Sequence, residues 1–280
     1  MNDPVLDEMV RIAEAASPLI LEVYKTDFSV DYKAKDDPVT QADQRANEQI
    51  CASLADAFPD AGIVAEESDP EGFRRAQAAE RIFFVDPLDG TREFVAKNGE
   101  FVIMIGLVEG DRATHGVVLA PASGILWAAS PSTAAWRSRP GENRSMIHVG
   151  NCGRLEDTMV VASRSHRTEV LEQVLEFFGT STVMALGSAG LKGAAIADAS
   201  ADLYVAPGHA GKRWDSCAVD ALVHQAGGVY TDAYGTLMDY RSRDLTNRRG
   251  VAACNKTLHP LLISRLADAR ATHPDAPELK

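Results

Sequence analysis

RIFFVDPLDGTREF, residues Arg81–Phe94, drives four consecutive apolar side chains, Ile82–Val85, straight into a pair of carboxylates. A short unbroken apolar run bounded by polar residues predicts a strand buried on both faces. Asp86 ends it, Pro87 and Leu88 follow, and Asp89 precedes the turn-forming Gly90–Thr91. The proline makes a tight strand end, so both carboxylates are expected to emerge together. They either cap a turn or hold something positively charged.

Other acids sit at the ends of predicted elements rather than on solvated helix faces: Asp43, the pair Glu66–Glu67, and Asp215 in the stretch RWDS. Each has a plain alternative. Asp43 suits an exposed first turn of a helix, Glu66–Glu67 a loop, and Asp215 the capping of the helix that follows it. Convergence is what separates the two readings. Several acids brought together without a cation repel one another, and hard divalent ions such as Mg²⁺ take carboxylate, carbonyl and water ligands. Two such ions make water nucleophilic and screen the charge of a phosphate under attack. Gly90 and Thr91, small residues opening a helix, suit backbone contacts to a phosphoryl oxygen.

The rest of the composition supports this frame. The chain has 280 residues, of which 45% are hydrophobic and 24% charged, as in an ordinary globular protein long enough for one or two domains. Forty acids against 28 Lys and Arg leave a net charge of −12. That argues against a nucleic acid polymer or an anionic membrane surface as partner. A protein so acidic must hold phosphates through local cations or bound metal. The cysteines Cys51, Cys152, Cys217 and Cys254 are scattered and form no metal-binding spacing, which fits reduced thiols. The N-terminal segment MNDPVLDEMV carries acids where a signal peptide needs bases, and no apolar run approaches the roughly 20 residues that span a bilayer. A cytoplasmic protein without a membrane span is expected.

Apolar spacing predicts helices over Val5–Tyr24, with Pro18 inside, and from Gln41 to Phe58. The stretches AGIVAEES and RIFFVDPLDG read as buried strands, and Phe101–Ser130 as a meander turning at Glu109–Asp111 and Pro121–Gly124. The polar segment Trp136–Ser145 marks a boundary: an N-terminal α+β half over residues 1–140 and a C-terminal α/β half over 141–270. That second half alternates TMVVAS, a helix through Val170–Phe178, the helical GLKGAAIADAS, the strand ADLYVA, a helix over Ser216–Ala226 and the strand GVYTDAYG. The tail DARATHPDAPELK has little to bury, and residues 271–280 are expected to fray.

The tripeptide DGT also occurs in haloacid-dehalogenase-type phosphatases, which end an apolar strand on a nucleophilic aspartate. Their two aspartates are separated by one residue. Here Pro87 and Leu88 make two, which moves the side chains out of that register.

DPVTQAD, AEES, VDPLDGT and WDS…AGG, in this order, resemble the motifs of the Mg²⁺-dependent, Li⁺-sensitive phosphatase superfamily of inositol monophosphatase, fructose-1,6-bisphosphatase and the 3′(2′),5′-bisphosphate nucleotidases. The resemblance runs from roughly Leu6 to Asn255. It implies an α/β (α+β) fold, a layered αβαβα sandwich of the sugar-phosphatase type. It implies two or three Mg²⁺ ions per site, held by Glu66, Asp86, Asp89, Asp215 and the Leu88 carbonyl. Asp43 and Thr91, with Glu66, would prepare the attacking water, and the Gly90 and Thr91 amides would hold the phosphate without any phosphoenzyme.

At finer grain, DGTREFVAKNGEF is similar to the D-G-T-K-E-F…N-G-E-F stretch of bacterial CysQ proteins, with Arg92 in place of Lys. SRSH (Ser163–His166) and GSAGLK (Gly187–Lys192) resemble nucleotide-contacting segments of bisphosphate nucleotidases. By that match Ser163, His166, Ser188 and Lys192, together with Asp215, would contact substrate. Inositol monophosphatases carry an acid seven positions before the aspartate of W-D, where this chain has Gly208. Lys212 and Arg213 nearby, and Lys33 and Lys35 in KAKDD, suit a second phosphate better than a neutral polyol. The implied substrate is a small phosphorylated molecule, adenosine 3′,5′-bisphosphate or 3′-phosphoadenylyl sulfate of sulfate assimilation. The alternative is an inositol or broader sugar-phosphate phosphatase. On either reading a monomer or homodimer is expected. A non-catalytic protein on the same scaffold would lack a catalytic acid or the threonine, and all are present.

Overall fold

The computed structural model describes residues 2–34, 37–164, 169–180 and 182–272. The chain begins with α1 (Pro4–Tyr24), passes through a hairpin of β1 (Asp31–Ala34) and β2 (Asp37–Val39), and continues in α2 (Gln41–Ala57). Asp3 caps α1 by accepting from the Val5 and Leu6 amides, and Pro4 fits the first turn because no partner is needed there for its missing N–H. Pro18 is accommodated within α1. Thr40 and Asp43 form a reciprocal capping box at the start of α2.

β3 (Gly62–Ala65), α3 (Pro70–Ala76), β4 (Arg81–Asp89) and the short α4 (Thr91–Val95) lead into a meander. Its strands are β5 (Val102–Glu109), β6 (Arg112–Ala120), β7 (Ile125–Ser130), β8 (Ala134–Ser138) and β9 (Ser145–Met146). The seven strands β3 to β9 make one sheet in sequence order, antiparallel except for the parallel β3–β4 pair. The polar stretch Trp136–Ser145 thus still contributes to this sheet, through β8 and β9.

The chain then builds β10 (Val160–Ser163), α5 (Glu169–Phe178), β11 (Val183–Leu186), α6 (Ala189–Ala197), β12 (Leu203–Ala206), α7 (Trp214–Gln225) and β13 (Gly228–Thr231). It closes with β14 (Val251–Asn255) and α8 (Leu258–Thr272), two elements the sequence reading did not assign. The second sheet has the order β11-β10-β12-β14-β13, parallel at β10–β11 and β10–β12. Ala269 is buried, so α8 continues through the first residues of DARATHPDAPELK, and residues 273–280 lie outside the described residues.

Side-chain alternation assigns the strands to layers. Phe83 and Val85 of β4 join Ile103, Ile105 and Leu107 of β5 against α1 and α2. Ile82 and Phe84 face the other way with Val102 and Met104, onto α6, α7 and the second sheet. The far face of that sheet packs on α5 and α8 through Leu171, Leu175, Leu258 and Leu262. The result is the expected αβαβα sandwich. Phe83 and Phe84 are both fully buried, each contributing on the order of 2–3 kcal/mol of apolar burial.

Two glycines set how closely α7 approaches the first sheet. Gly106 of β5 pairs directly with Gly116 of β6. A Cβ on Gly106 would lie 2.6 Å from the Ala218 nitrogen, and one on Gly116 would lie 2.1 Å from the Ala218 carbonyl oxygen. This close approach fixes the depth at which α7 delivers Asp215. Among the described residues no helix is long and apolar enough to cross a membrane.

Candidate active site

A cavity of about 550 Å³ opens between the two sheets. It lies at the C-terminal end of β4 and at the C-terminal ends of the parallel strands of the second sheet, where ligands of open α/β sheets commonly bind. Asp86, Leu88, Asp89, Gly90 and Thr91 line one side, and Ser163, Gly187, Lys192 and the loop Ala206–Lys212 the other. Asp215 enters from the first turn of α7, and Glu66 from the turn after β3.

Asp86 and Asp89 both belong to the end of β4, and the pairing with β5 breaks register between them. The slip is how a strand with alternating faces points two carboxylates, three residues apart, at one place. Carboxylate oxygens of Asp86, Asp89 and Asp215 all lie within 4.8 Å of one another. Asp86 is held by the Leu88 amide, donating to Oδ1 at 3.0 Å. Asp215 Oδ2 accepts the Lys212 amide at 2.6 Å. Asp89 Oδ2 accepts the Gly190 amide at 2.7 Å and the Ser188 hydroxyl.

This concentration of negative charge costs energy in the absence of a cation. Burial pushes the Asp86 carboxyl well above the usual carboxylate range, and Glu66, Asp89 and Asp215 add to it. Asp215 is raised well above that range too, first by burial and then by Asp89 and Glu66. Burial also raises Asp89, against Lys192, the Gly190 amide and Ser188. Three hard-oxygen donors within reach of one point, Asp86 and Asp89 buried and Asp215 half-buried, fit a divalent cation such as Mg²⁺, which would relieve this repulsion.

Glu66 sits at the rim, partly exposed. Its Oε1 accepts Lys33 Nζ at 3.1 Å, and the same ammonium bonds Glu67. Burial works against that charge, but Glu66 and Glu67 outweigh it and hold the Lys33 pKa above the usual lysine value. Lys33 therefore ties the β1–β2 hairpin to the turn carrying Glu66, a contact that no local sequence pattern signals.

Thr91 joins the carboxylate cluster to Asp43. Its hydroxyl lies 3.1 Å from Asp43 Oδ1 and 3.2 Å from the Leu88 carbonyl, with donor geometry to either. Asp43 Oδ2 is saturated by the Thr40 amide at 2.8 Å and the Thr40 hydroxyl at 2.7 Å. Burial raises the Asp43 carboxyl despite these bonds. Capping and the contact with Thr91 thus coexist on Asp43: one oxygen caps α2 and the other faces Thr91.

The residues expected against substrate fall into three groups. Ser163, at the end of β10, lines the cavity. His166 lies outside the described residues, as does Lys35. Ser188 is fully buried, capping α6 through the Leu191 amide and donating to Asp89. Lys192 lines the cavity but is almost completely buried, with Nζ donating to the Gly187 carbonyl at 3.2 Å. Burial lowers its pKa, while Asp89, Glu93, Asp215 and Glu100 oppose that shift, so it counterbalances the acidic cluster. Lys212 lines the cavity, with its ammonium 4.8 Å from the centre of the Trp214 ring. Arg213 does not accompany it. Its guanidinium donates to the Asp239 carbonyl at 2.9 Å and to Asn247, beside a separate cavity. The expected contribution of Arg213 to the field around substrate is therefore replaced by a structural one.

Residues 1–271 match the model of the inositol monophosphatase family. The 3′(2′),5′-bisphosphate nucleotidase CysQ of Escherichia coli K12 is 34% identical over 242 residues, covering 86% of this chain and 95% of the relative. The CysQ nucleotidase of Salmonella typhimurium shows the same identity and coverage, 34%, 86% and 95%. The crystal structure of CysQ from Bacteroides thetaiotaomicron superposes with a TM-score of 0.73 at 27% identity, covering 90% of this chain and 97% of that one. A Thermotoga maritima IMPase shares the fold with a TM-score of 0.81 at 24% identity, covering 96% and 99% of the two chains. The chain belongs to the inositol monophosphatase family.

Proposed function

We propose, from that membership and the geometry of the site, that this phosphatase is an Mg²⁺-dependent 3′(2′),5′-bisphosphate nucleotidase. It would remove the 3′-phosphate of adenosine 3′,5′-bisphosphate and accept 3′-phosphoadenylyl sulfate as a related substrate. The observation that carries the chemistry is the convergence of Asp86, Asp89 and Asp215 beside the Thr91–Asp43 pair. The nucleotide is supported by the likeness to CysQ enzymes, by Gly208 in place of an inositol-binding acid, and by Lys212 in the cavity wall.

Asp86, Asp89, Asp215, Glu66 and the Leu88 carbonyl would hold the metal, two or three ions in all. When bound, Mg²⁺ supplies positive charge to the phosphate and acidifies water. The chain's own residues do the rest. One hydroxyl proton cannot serve two acceptors, so a Leu88 carbonyl engaged elsewhere leaves the Thr91 proton to Asp43. The Thr91 oxygen then presents its lone pairs to the cavity, where it accepts a hydrogen bond from the attacking water and aims that water. Asp43, buried and with raised proton affinity, takes the proton through Thr91. The Gly90 and Thr91 amides bind the phosphoryl oxygens. Gly90 reaches this turn with φ of +95°, a left-handed conformation that favours glycine. Water adds to phosphorus in line. The 3′-oxygen leaves with the bonding pair and takes up a proton, giving inorganic phosphate and adenosine 5′-phosphate.

Steady-state kinetics with adenosine 3′,5′-bisphosphate, 3′-phosphoadenylyl sulfate and inositol 1-phosphate test this reading. A higher kcat/KM for the nucleotides is expected. Preference for the inositol ester overturns the nucleotide assignment while leaving the metal chemistry standing.

A further inference from the structure

Glu100, just ahead of β5, is held by the first half of the chain but spends its carboxylate on the second. Its Oε2 accepts Arg164 Nε at 3.0 Å and the Gly187 amide at 2.8 Å, and its Oε1 accepts Arg164 Nη2 at 2.6 Å. Arg164 Nη2 also donates to the Ala185 carbonyl at 2.9 Å, and the Arg164 amide to the Leu186 carbonyl at 3.0 Å. One carboxylate therefore locks together the ends of β10 and β11.

The backbone of Glu100 faces the opposite way, onto the phosphate turn. A Cβ on Gly90 would lie 2.8 Å from the Glu100 carbonyl oxygen. The residue stands between two walls of the same cavity: the Gly90–Thr91 turn on one side, and Ser163 and Gly187 on the other. Burial works against the charge, yet Arg164 and the Gly187 amide hold the Glu100 carboxyl below its usual range, so the clip stays ionised. Arg164 is 47% exposed. An exposed pair of this kind adds little stability. Its bidentate form and the shared amide fix direction and distance instead.

We propose that the Glu100–Arg164 pair is a specificity-determining positioning device, setting the separation between the phosphate turn and the Ser163–Gly187 wall on which the rest of a bulky ester lies. This rests on the nucleotidase reading above, in which a nucleoside must reach from one wall to the other. A small ester engages only the metal and phosphate side and is indifferent to the separation. Ångström-scale misplacement of a wall is felt by the ligand that touches both.

The test compares wild type with Arg164→Ala, Arg164→Lys, Glu100→Gln and the double variant Glu100→Gln/Arg164→Ala. Substrates are adenosine 3′,5′-bisphosphate, inositol 1-phosphate and glycerol 2-phosphate, each in saturating Mg²⁺. For the bisphosphate, KM is expected to rise about tenfold in Arg164→Ala and Glu100→Gln, with kcat within about twofold. Arg164→Lys recovers part of the loss, and the double variant is no worse than either single one. With glycerol 2-phosphate, kcat/KM stays within about twofold throughout. Equal losses on bulky and small esters, or no change on either, overturn the proposal. If wild type prefers inositol 1-phosphate, the nucleotidase reading fails, and the clip is judged on the same ratio with that ester as the bulky substrate. Should Arg164→Ala fail to fold, Arg164→Lys and Glu100→Gln decide the matter.

Discussion

The Thr91 hydroxyl lies 3.1 Å from Asp43 Oδ1, joining residues 48 positions apart in sequence. Neither residue is among the clustered carboxylates, so chemistry and metal binding are separable by mutation. Asp43→Asn and Thr91→Ala should each lower kcat by about 10²–10⁴. Half-saturation by Mg²⁺ should change little. In the proposed mechanism the two act as a unit, so the double variant should be scarcely slower than the worse single one. Rate assays over a Mg²⁺ titration check all three statements.

Protons and metal compete for the same oxygens. Burial and mutual repulsion raise Asp86 and Asp215 well above the usual carboxylate range, so lowering the pH fills the site with protons. The Mg²⁺ concentration for half-maximal activity should therefore be higher at pH 6 than at pH 8. Equal values at the two pH values would contradict this.

Asp220 of α7 is a buried titratable group away from the reaction. Its Oδ2 accepts the Tyr240 hydroxyl at 2.8 Å, Oδ1 has no hydrogen-bond donor among the described residues, and Arg112 Nη2 stands 3.9 Å from Oδ1. Burial raises its pKa to about 6. A carboxyl raised in the folded state favours folding while protonated, and that contribution is lost as pH rises through about 6. Asp220→Asn keeps the shape and an acceptor for Tyr240 without the charge. It should raise the thermal unfolding midpoint at pH 8, by the equivalent of up to about 3 kcal/mol, and the gain should vanish below about pH 4.

Gly116 touches the Ala218 carbonyl so closely that any side chain must push α7 off the sheet. Gly116→Ala should destabilise the fold by about 1–3 kcal/mol. Because α7 carries Asp215, it should also weaken Mg²⁺ binding. Urea unfolding and a Mg²⁺ titration of activity separate the two effects.

Much of this molecule was legible in its residues. The run Ile82–Val85 announces a buried strand, and Asp86 and Asp89 after it announce a convergence of carboxylates, because burial and charge leave few alternatives there. β14 and α8 escape the sequence reading, as do the shorter β1, β2, α3 and β11. Val251–Asn255 is a short strand after a long polar loop, and α8 spaces Leu258, Leu262, Leu266 and Ala269 too thinly to stand out. Long-range side-chain geometry was illegible for a different reason. Nothing near Arg213 shows that it turns towards Asp239 and Asn247, nor anything near Lys33 that it bridges Glu66 and Glu67. In the sequence Glu100 is only part of a family-like stretch, and its pairing with Arg164 exists only once two sheets are stacked.

Phosphate release from adenosine 3′,5′-bisphosphate, followed with wild type and Asp89→Asn across a Mg²⁺ titration and in EDTA, bears on the whole construction. Asp89 lies inside the carboxylate cluster, fixed by Ser188 and the Gly190 amide. Wild type should be active only with the divalent ion, and Asp89→Asn should lose at least about 10³ in rate at every concentration. Full activity in EDTA, or an Asp89→Asn enzyme as fast as wild type, would contradict the assignment of these carboxylates to metal.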